Sequence, residues 1–564
     1  MKVVYCGRAP GALTGALRFV CVAALACSAA SCVAPFPPVP QAENADRIER
    51  MLVEAYEDVG EAYNADVAAS EMALAGLDNL AAIEPGLAVH KSGDTVTLKL
   101  GAASVYSFAE PAGNSVDDWA KTVGEALVAV HQRSGPFQRT DPQRIYDSYM
   151  AGLASALGDD SRYFPSEEFY GYLYADVDGL IDLTYAQTED GLRVLSLDRE
   201  GRLAAAGVEI DDIITHIDGK ATAGRSRFEV YSLLRGPVES KVFLNVLRDG
   251  TALPSSIVVQ RRIIEPRSYE LSRNAGVAVY SLPVLNELAA NALAQSLSVE
   301  TRRTDSQNRP LKGIVLDLRG EPEVAPNAVR NPSVTLGTSR PDWSNIVGYI
   351  DTGFMAGPGG SPDAARRLAS AFMSDGVVFR QRGKQDKANI VVEAGGTNPS
   401  GQLPLVVIVD SSTTGGAEIA AAALQDSGRA LVIGASTAGG GIIRRNVSLY
   451  NLGVINLPWA QAYAPSGYGI AGRGVLPDVC VSAPDMSFDS VMTALRRGEG
   501  LTDLTDRTRS IDPGDKAALA MQRALCPAEI DEGNLAIELA LAILKDPGLY
   551  ERLLRKQPLK LPAT

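Results

Sequence analysis

The sequence predicts an α/β multidomain protein, with a mainly helical N-terminal region, a β-rich segment, a mixed α/β region and a helical C-terminal region. Three observations carry that prediction. Apolar residues recur at helical spacing through "ADRIERMLVEAYEDVGEAYNADVAASEMALAGLDNL" and again after residue 488. Residues 176–262 instead alternate short β-type runs with Gly and Asp turns. Further on, "VVIVDSSTTGGAEIAAAALQDSGRALVIGASTAGGG", residues 406–441, reads as strand, turn, helix, strand and turn. A chain of 564 residues has room for several such domains.

Composition is that of a globular protein, 46% hydrophobic and 21% charged, with a net charge of −14. Such an acidic chain lacks the clustered Lys and Arg that nucleic acid rewards, so no nucleic-acid partner is expected. The N-terminus reads as an address. Lys2, Arg8 and Arg18 precede the apolar run "FVCVAALACSAA", which is too short to span a bilayer and suits a secretory signal over residues 1–32. "AASC" ends at Cys32, and the Pro-rich stretch 33–44 follows. Small residues before a cysteine, then a tether, resemble a bacterial lipoprotein signal, which implies lipidation of Cys32. Cys27 in "LAC" is a competing site, and an ordinary cleaved signal is the other reading. Val33, by analogy, favours the outer membrane. The expected location is the bacterial cell envelope, on its periplasmic side, with the membrane touched only through a lipid anchor.

Residues 45–175 read as mainly helical with one hairpin. "LAVHKSGDTVTLKLGAASVYSF" alternates around a "SGD" turn. "SVDDWAKTVGEALVAVHQRS" opens on Ser115, a plausible cap with acids behind it, and predicts a helix. "DPQRIYDSYMAGLASALGDDSRYFPSEEFYGYL" predicts another, broken at Gly158 and Pro165.

Within 176–262, "AAAGVEIDDIITHIDGK" and "LLRGPVESKVFLNVLRDG", with a helix at "SRFEVYSLLRG", resemble a PDZ domain of the kind inserted in tail-specific proteases. Such domains bind an extended C-terminal tail by strand addition. The resemblance places the carboxylate-binding loop at Gly179, Leu180 and Ile181. The family tends to have a second glycine where Ile181 stands. A packing module that no longer binds peptide is the other reading.

Residues 263–488 carry more of the same resemblance. "AVYSLPVLNELAANALAQSLSV" looks like an opening strand and helix, and "KGIVLDLRG" like a buried strand with a charged end. "GPGGSPDAARRLASAFMSDGVVFRQRGK" resembles a Pro-Gly-Gly turn, helix and strand. "WAQAYAPSGYGIAGRGVLPDVCV" contains the recurring Y-x-P-S-G and G-x-G-x-x-P-D. Over roughly residues 140–481 the chain is similar to the carboxy-terminal-processing, or tail-specific, peptidases. That resemblance implies a crotonase-like layered α/β domain. One departure is an insertion over about 320–356, roughly 37 residues after Arg319; structureless loops of that length are uncommon and, when ordered, tend to serve contacts.

The family's chemistry is a Ser–Lys dyad with a glutamine that orients the lysine and backbone amides that hold the oxyanion. Its nucleophile stands three residues before a glutamate, here Glu418, and so falls on Gly415. The lysine position falls on Gly440 and the glutamine position on Arg444. All three side chains are missing although the intervening segment is ungapped. Thr414 and Ser412 offer substitute hydroxyls, but they need a base. No lysine lies between Lys387 and Lys516, and His90, His131 and His216 all precede this domain. Arg444 and Arg445 stay protonated and cannot serve. Gly359, Gly360 and Gly416 stand where the family binds an oxyanion, or serve only sharp turns. "AGGG" lacks the lysine of a phosphate loop. No cofactor motif appears, and three scattered histidines make no metal site.

Residues 489–564 read as helical: "SFDSVMTALRRG", "DPGDKAALAMQRALC", with Asp512–Pro513 as its start, and "NLAIELALAILKDPGLYERLLRK". Cys480 and Cys526 would remain in an oxidising compartment, either as a disulfide or as two separate thiols. The expectation is a catalytically degenerate peptidase homologue that binds protein tails, or partners an active peptidase or cell-wall enzyme. The rivals are a serine or threonine endopeptidase with a relocated nucleophile, and a structural envelope lipoprotein.

Overall fold

The computed structural model describes residues 45–158, 160–166, 181, 184–197, 202–225, 230, 233–234, 236–237, 239–261, 269–303, 310–320, 360–449, 453–482, 486–502, 511, 515–527 and 534–555. The signal segment with Cys32, the stretch 33–44, Gly179, Leu180, Gly359 and the insertion from residue 321 lie outside the described residues.

Helices α1 (Ala45–Ala62), α2 (Ala69–Asn79), α3 (Val116–Arg133), α4 (Gly135–Arg139) and α5 (Pro142–Ser155) build the N-terminal region around Leu52, Tyr56, Trp119, Phe137 and Tyr149. Ser115 caps α3 as expected: its hydroxyl accepts from the Asp118 amide at 3.3 Å, and Asp117 and Asp118 occupy the first turn, where the helix dipole favours them. Strands β1 (Leu87–Ser92) and β2 (Thr95–Leu100) form the hairpin, turning at Gly93 with φ +58°. The segment is longer than a hairpin, because Gly101, also at φ +58°, turns the chain again into β3 (Ala103–Ala109). After Gly158, β4 (Arg162–Phe164) leaves this region to pair elsewhere.

The β-rich segment holds β5 (Thr184–Thr188), β6 (Gly191–Ser196), the short α6 (Arg202–Ala205), β7 (Ile213–Ile217), β8 (Lys220–Ala221), β9 (Lys241–Arg248), β10 (Thr251–Ala252) and β11 (Ile257–Gln260). They form one antiparallel sheet in the order β10-β9-β7-β6-β5, with β11 also on β9 and β8 on β7. Among the described residues its core runs from Ile181 to Val259.

The mixed region is layered. Strands β12 (Glu270–Asn274), β13 (Val277–Ser281), β14 (Gly313–Asp317), β17 (Leu405–Val409), β18 (Leu431–Gly434) and β21 (Val479–Cys480) lie in the order β12-β13-β14-β17-β18-β21, parallel except for β12. Alternation along a strand sends its side chains to two cores. Ile314 and Leu316 join one and Val315 the other; Val407 and Val409 join one, Val406 and Ile408 the other. The first core is shared with α7 (Glu287–Glu300), α8 (Pro362–Ser370) and α9 (Gly415–Asp426). A second sheet closes it, in the order β16-β15-β20-β19, from β15 (Val377–Gly383), β16 (Ile390–Glu393), β19 (Ile442–Ser448) and β20 (Val454–Tyr463), with β4 on β20.

The other face of the first sheet packs on α10 (Phe488–Arg497), α12 (Leu535–Lys545) and α13 (Pro547–Arg555). The last helical stretch is thus two helices. Pro547 has no N–H and disfavours a helical Asp546, whose carboxylate instead accepts the Leu549 amide and caps the second helix. Helix α11 (Lys516–Arg523) starts later than Asp512–Pro513 suggests, because Asp515 caps it, accepting from Ala518 at 3.0 Å. Cys480 and Cys526 are joined as a disulfide, Cα to Cα 5.7 Å, which fastens the end of α11 to β21.

Candidate active site

Strand β17 delivers the site loop at its C-terminal end. Asp410, buried, folds that loop back on itself: its Oδ1 accepts the Ser412 amide at 2.8 Å and the Ser412 hydroxyl. Ser412 Oγ in turn accepts the Gly320 amide at 2.8 Å, and Thr413 Oγ1 donates to the Leu318 carbonyl at 3.0 Å. Two of the hydroxyls that stand near the nucleophile position therefore tie the ends of β17 and β14 together.

Thr414 is the N-cap residue of α9, yet its side chain makes no capping bond. It is half-buried and lies over Gly440. A Cβ on Gly440 would meet Thr414 Oγ1 well under the 3.0 Å that Cβ atoms respect, and Glu418 Oε2 at 3.3 Å. Gly415, the first helical residue, has φ +56°, a left-handed conformation that L side chains adopt only with strain. The positions that the resemblance assigns to nucleophile and base are glycines, and the second has its side-chain space filled by a neighbour's hydroxyl.

Glu418 holds the two positions together. Its fully buried carboxylate receives the Thr437 hydroxyl and the Gly439 amide (2.6 Å) on Oε1, and the Gly440 (2.7 Å) and Gly415 (3.1 Å) amides on Oε2. Burial pushes this carboxyl above the ordinary glutamate value, and the four hydrogen bonds oppose that shift. In the sequence Glu418 sets the register; its role as the junction of both loops is not legible there. The signal was nonetheless present, as a glutamate in the first turn of an otherwise apolar helix.

The oxyanion turn is closed. The Gly416 amide donates to the Gly360 carbonyl at 3.0 Å, and the Ala417 amide to the Thr414 carbonyl at 3.2 Å. Gly360, at φ +77°, passes so close to the Leu285 carbonyl that no side chain fits. Gly416 therefore presents no free donor here, contrary to the expectation for an oxyanion site.

The remaining candidates lie elsewhere. Arg444 turns to the N-terminal region, holding the Asp160 carbonyl (3.0 Å) and carboxylate (2.6 Å). Lys387 pairs with Glu61 and sits over the Trp459 ring. Ile181 is 2% exposed, within the core of the β-rich domain. The closing motif is architectural: Asp426 at the end of α9 accepts the Ser466 amide at 2.8 Å, and Asp478 accepts the Val432 amide at 2.8 Å. Among the described residues no three His, Cys, Asp or Glu side chains converge, and no helix is long and apolar enough to cross a membrane.

Residues 356–481 match the model of peptidase family S41. A carboxy-terminal-processing protease of Bartonella bacilliformis is 25% identical over 348 residues, 61% of this chain and 71% of that protein. The chloroplastic carboxyl-terminal-processing peptidase 1 of Arabidopsis thaliana is 26% identical over 336 residues, 58% of this chain and 60% of its own length. A probable CtpA-like serine protease of Staphylococcus haemolyticus is 20% identical over 67% of this chain. Among solved structures, a photosystem II D1 C-terminal processing protease matches 75% of this chain and 97% of its own at 19% identity and a TM-score of 0.40. Residues 356–481 are thus similar to peptidase family S41, and over about 60% of its length the chain is similar to carboxy-terminal-processing peptidases.

Proposed function

We propose that this chain is a pseudoprotease: a tail-specific peptidase homologue that binds protein tails, or an envelope enzyme, without cutting. One observation carries the reading. Thr414 Oγ1 fills the space into which a side chain at Gly440 would project, which supports a site without a base there. A glycine at the nucleophile position and a Gly416 amide already bonded to Gly360 agree with it. A PDZ-like role for residues 176–262 would supply the tail binding, and a lipid on Cys32 would hold the protein at the envelope.

The rival reading, an active peptidase with a relocated nucleophile, rests on Ser412, whose hydroxyl donates to the buried Asp410. The test is to incubate the purified mature chain with unstructured proteins bearing apolar C-termini. We expect intact substrate. Cleavage that disappears in Ser412→Ala or Thr414→Ala would establish the rival. Capture of such tails that is lost when residues 176–262 are deleted would separate the tail-binding role from a structural one.

A further inference from the structure

A cleft of about 320 Å³ opens between α7, α8 and the loop at 395–399, on residues that the site above does not use. Its charge is unusual for this molecule. Arg366 and Arg367 line it, and no Asp or Glu does, in a chain whose net charge is −14. Arg367 is partly matched by Glu287, Nε to Oε2 3.0 Å. Arg366 is half-buried and forms no ion pair among the described residues. Arg366 and Arg367 together give the cleft a positive lining that favours an anion.

The rest of the cleft suits a ligand with a short body behind that anion. Asn291 and Gln295 stand at i and i+4 on the face of α7 that lines it, with Ser298 at i+7, whose hydroxyl donates to the Ala294 carbonyl at 3.0 Å. The opposite wall is rigid. The Gly395 amide donates to Ser370 Oγ at 3.1 Å, and the Ser400 amide to the Ala371 carbonyl at 3.3 Å. Ala294, Ala371 and Pro399 add apolar surface. The volume lies at the small end of ligand sites, roughly 300–1,000 Å³.

We propose that this cleft is a second ligand site, for a small carboxylate of about dipeptide size, with Arg366 taking the carboxylate as a planar two-bond partner. The test is calorimetric titration of the full mature chain with alanyl-alanine, alanyl-alanine amide and inorganic phosphate. Saturable binding of the free acid, lost in the amide, is expected. Arg366→Gln should weaken it at least about tenfold, as loss of a charged hydrogen bond does, and Gln295→Ala should weaken it less. Arg133→Gln, far along the chain on α3, should leave it unchanged. The proposal is overturned if the amide binds as well as the acid, if phosphate binds instead, if Arg366→Gln binds like the parent, or if no saturation appears below roughly 10 mM.

Discussion

Thr414 and Gly440 constrain each other, and that coupling is measurable. Gly440→Ala drives a Cβ into Thr414 Oγ1 and should cost about 1–3 kcal/mol by urea denaturation, as overpacking does. Thr414→Ala removes the oxygen in the way, so the double variant should recover most of that loss. Additive effects would refute the coupling. The same reasoning predicts that restoring Gly415→Ser and Gly440→Lys together yields a destabilised and inactive chain, since the serine enters at φ +56° and the lysine meets Thr414. Glu418 gives a pH signature. A carboxyl held above its unfolded value contributes stability that is present below the ordinary glutamate range and lost as pH rises through the folded value. Measured from about pH 4 to 8, the parent should lose stability relative to Glu418→Gln; parallel profiles would contradict the assignment.

At the scale of elements, much could be read ahead of the coordinates where local chemistry decides. Ser115 capped its helix because a hydroxyl followed by two acids satisfies free amides whatever packs nearby. Counting from Glu418 leads to Gly415 and Gly440, and the Glu418 carboxylate accepts the amides of both. What failed was through-space. Nothing along the chain says that Thr414 overlies Gly440, or that the Gly416 amide is taken by Gly360. The break at Asp546–Pro547 was legible in principle and was overridden by a strong apolar period on either side. The disulfide between Cys480 and Cys526, open in the sequence for lack of any distance, locks α11 against β21 across a separation of 46 residues. Reduction should lower stability by about 2–4 kcal/mol, followed by thermal denaturation with and without reductant. An unchanged midpoint would argue that the bond constrains little.

For the whole molecule, the domains differ in independence. Among the described residues the β-rich segment draws its core from Ile181–Val259, so residues 176–262 expressed alone should give a cooperative unfolding transition, and their deletion should leave the remainder folded. The N-terminal helices are the opposite case. Strand β4 pairs with β20, the Asn64 amide donates to the Pro458 carbonyl at 2.8 Å, and Val447, Leu449, Ile455 and Leu457 belong to the same core as Leu52 and Trp119. Removing residues 45–166 should expose that apolar face of the second sheet and leave an aggregating product by light scattering; a soluble monomer would contradict it.

That shared core also sets an order in time. The helices that leave the ribosome first cannot finish burying their apolar faces until residues 447–457 have been made, with the β-rich segment emerging in between. Closing so long a loop makes assembly slow and leaves early helices sticky while they wait. The β4–β20 pairing, which joins residues 162–164 to residues 454–456, is then a late step of assembly.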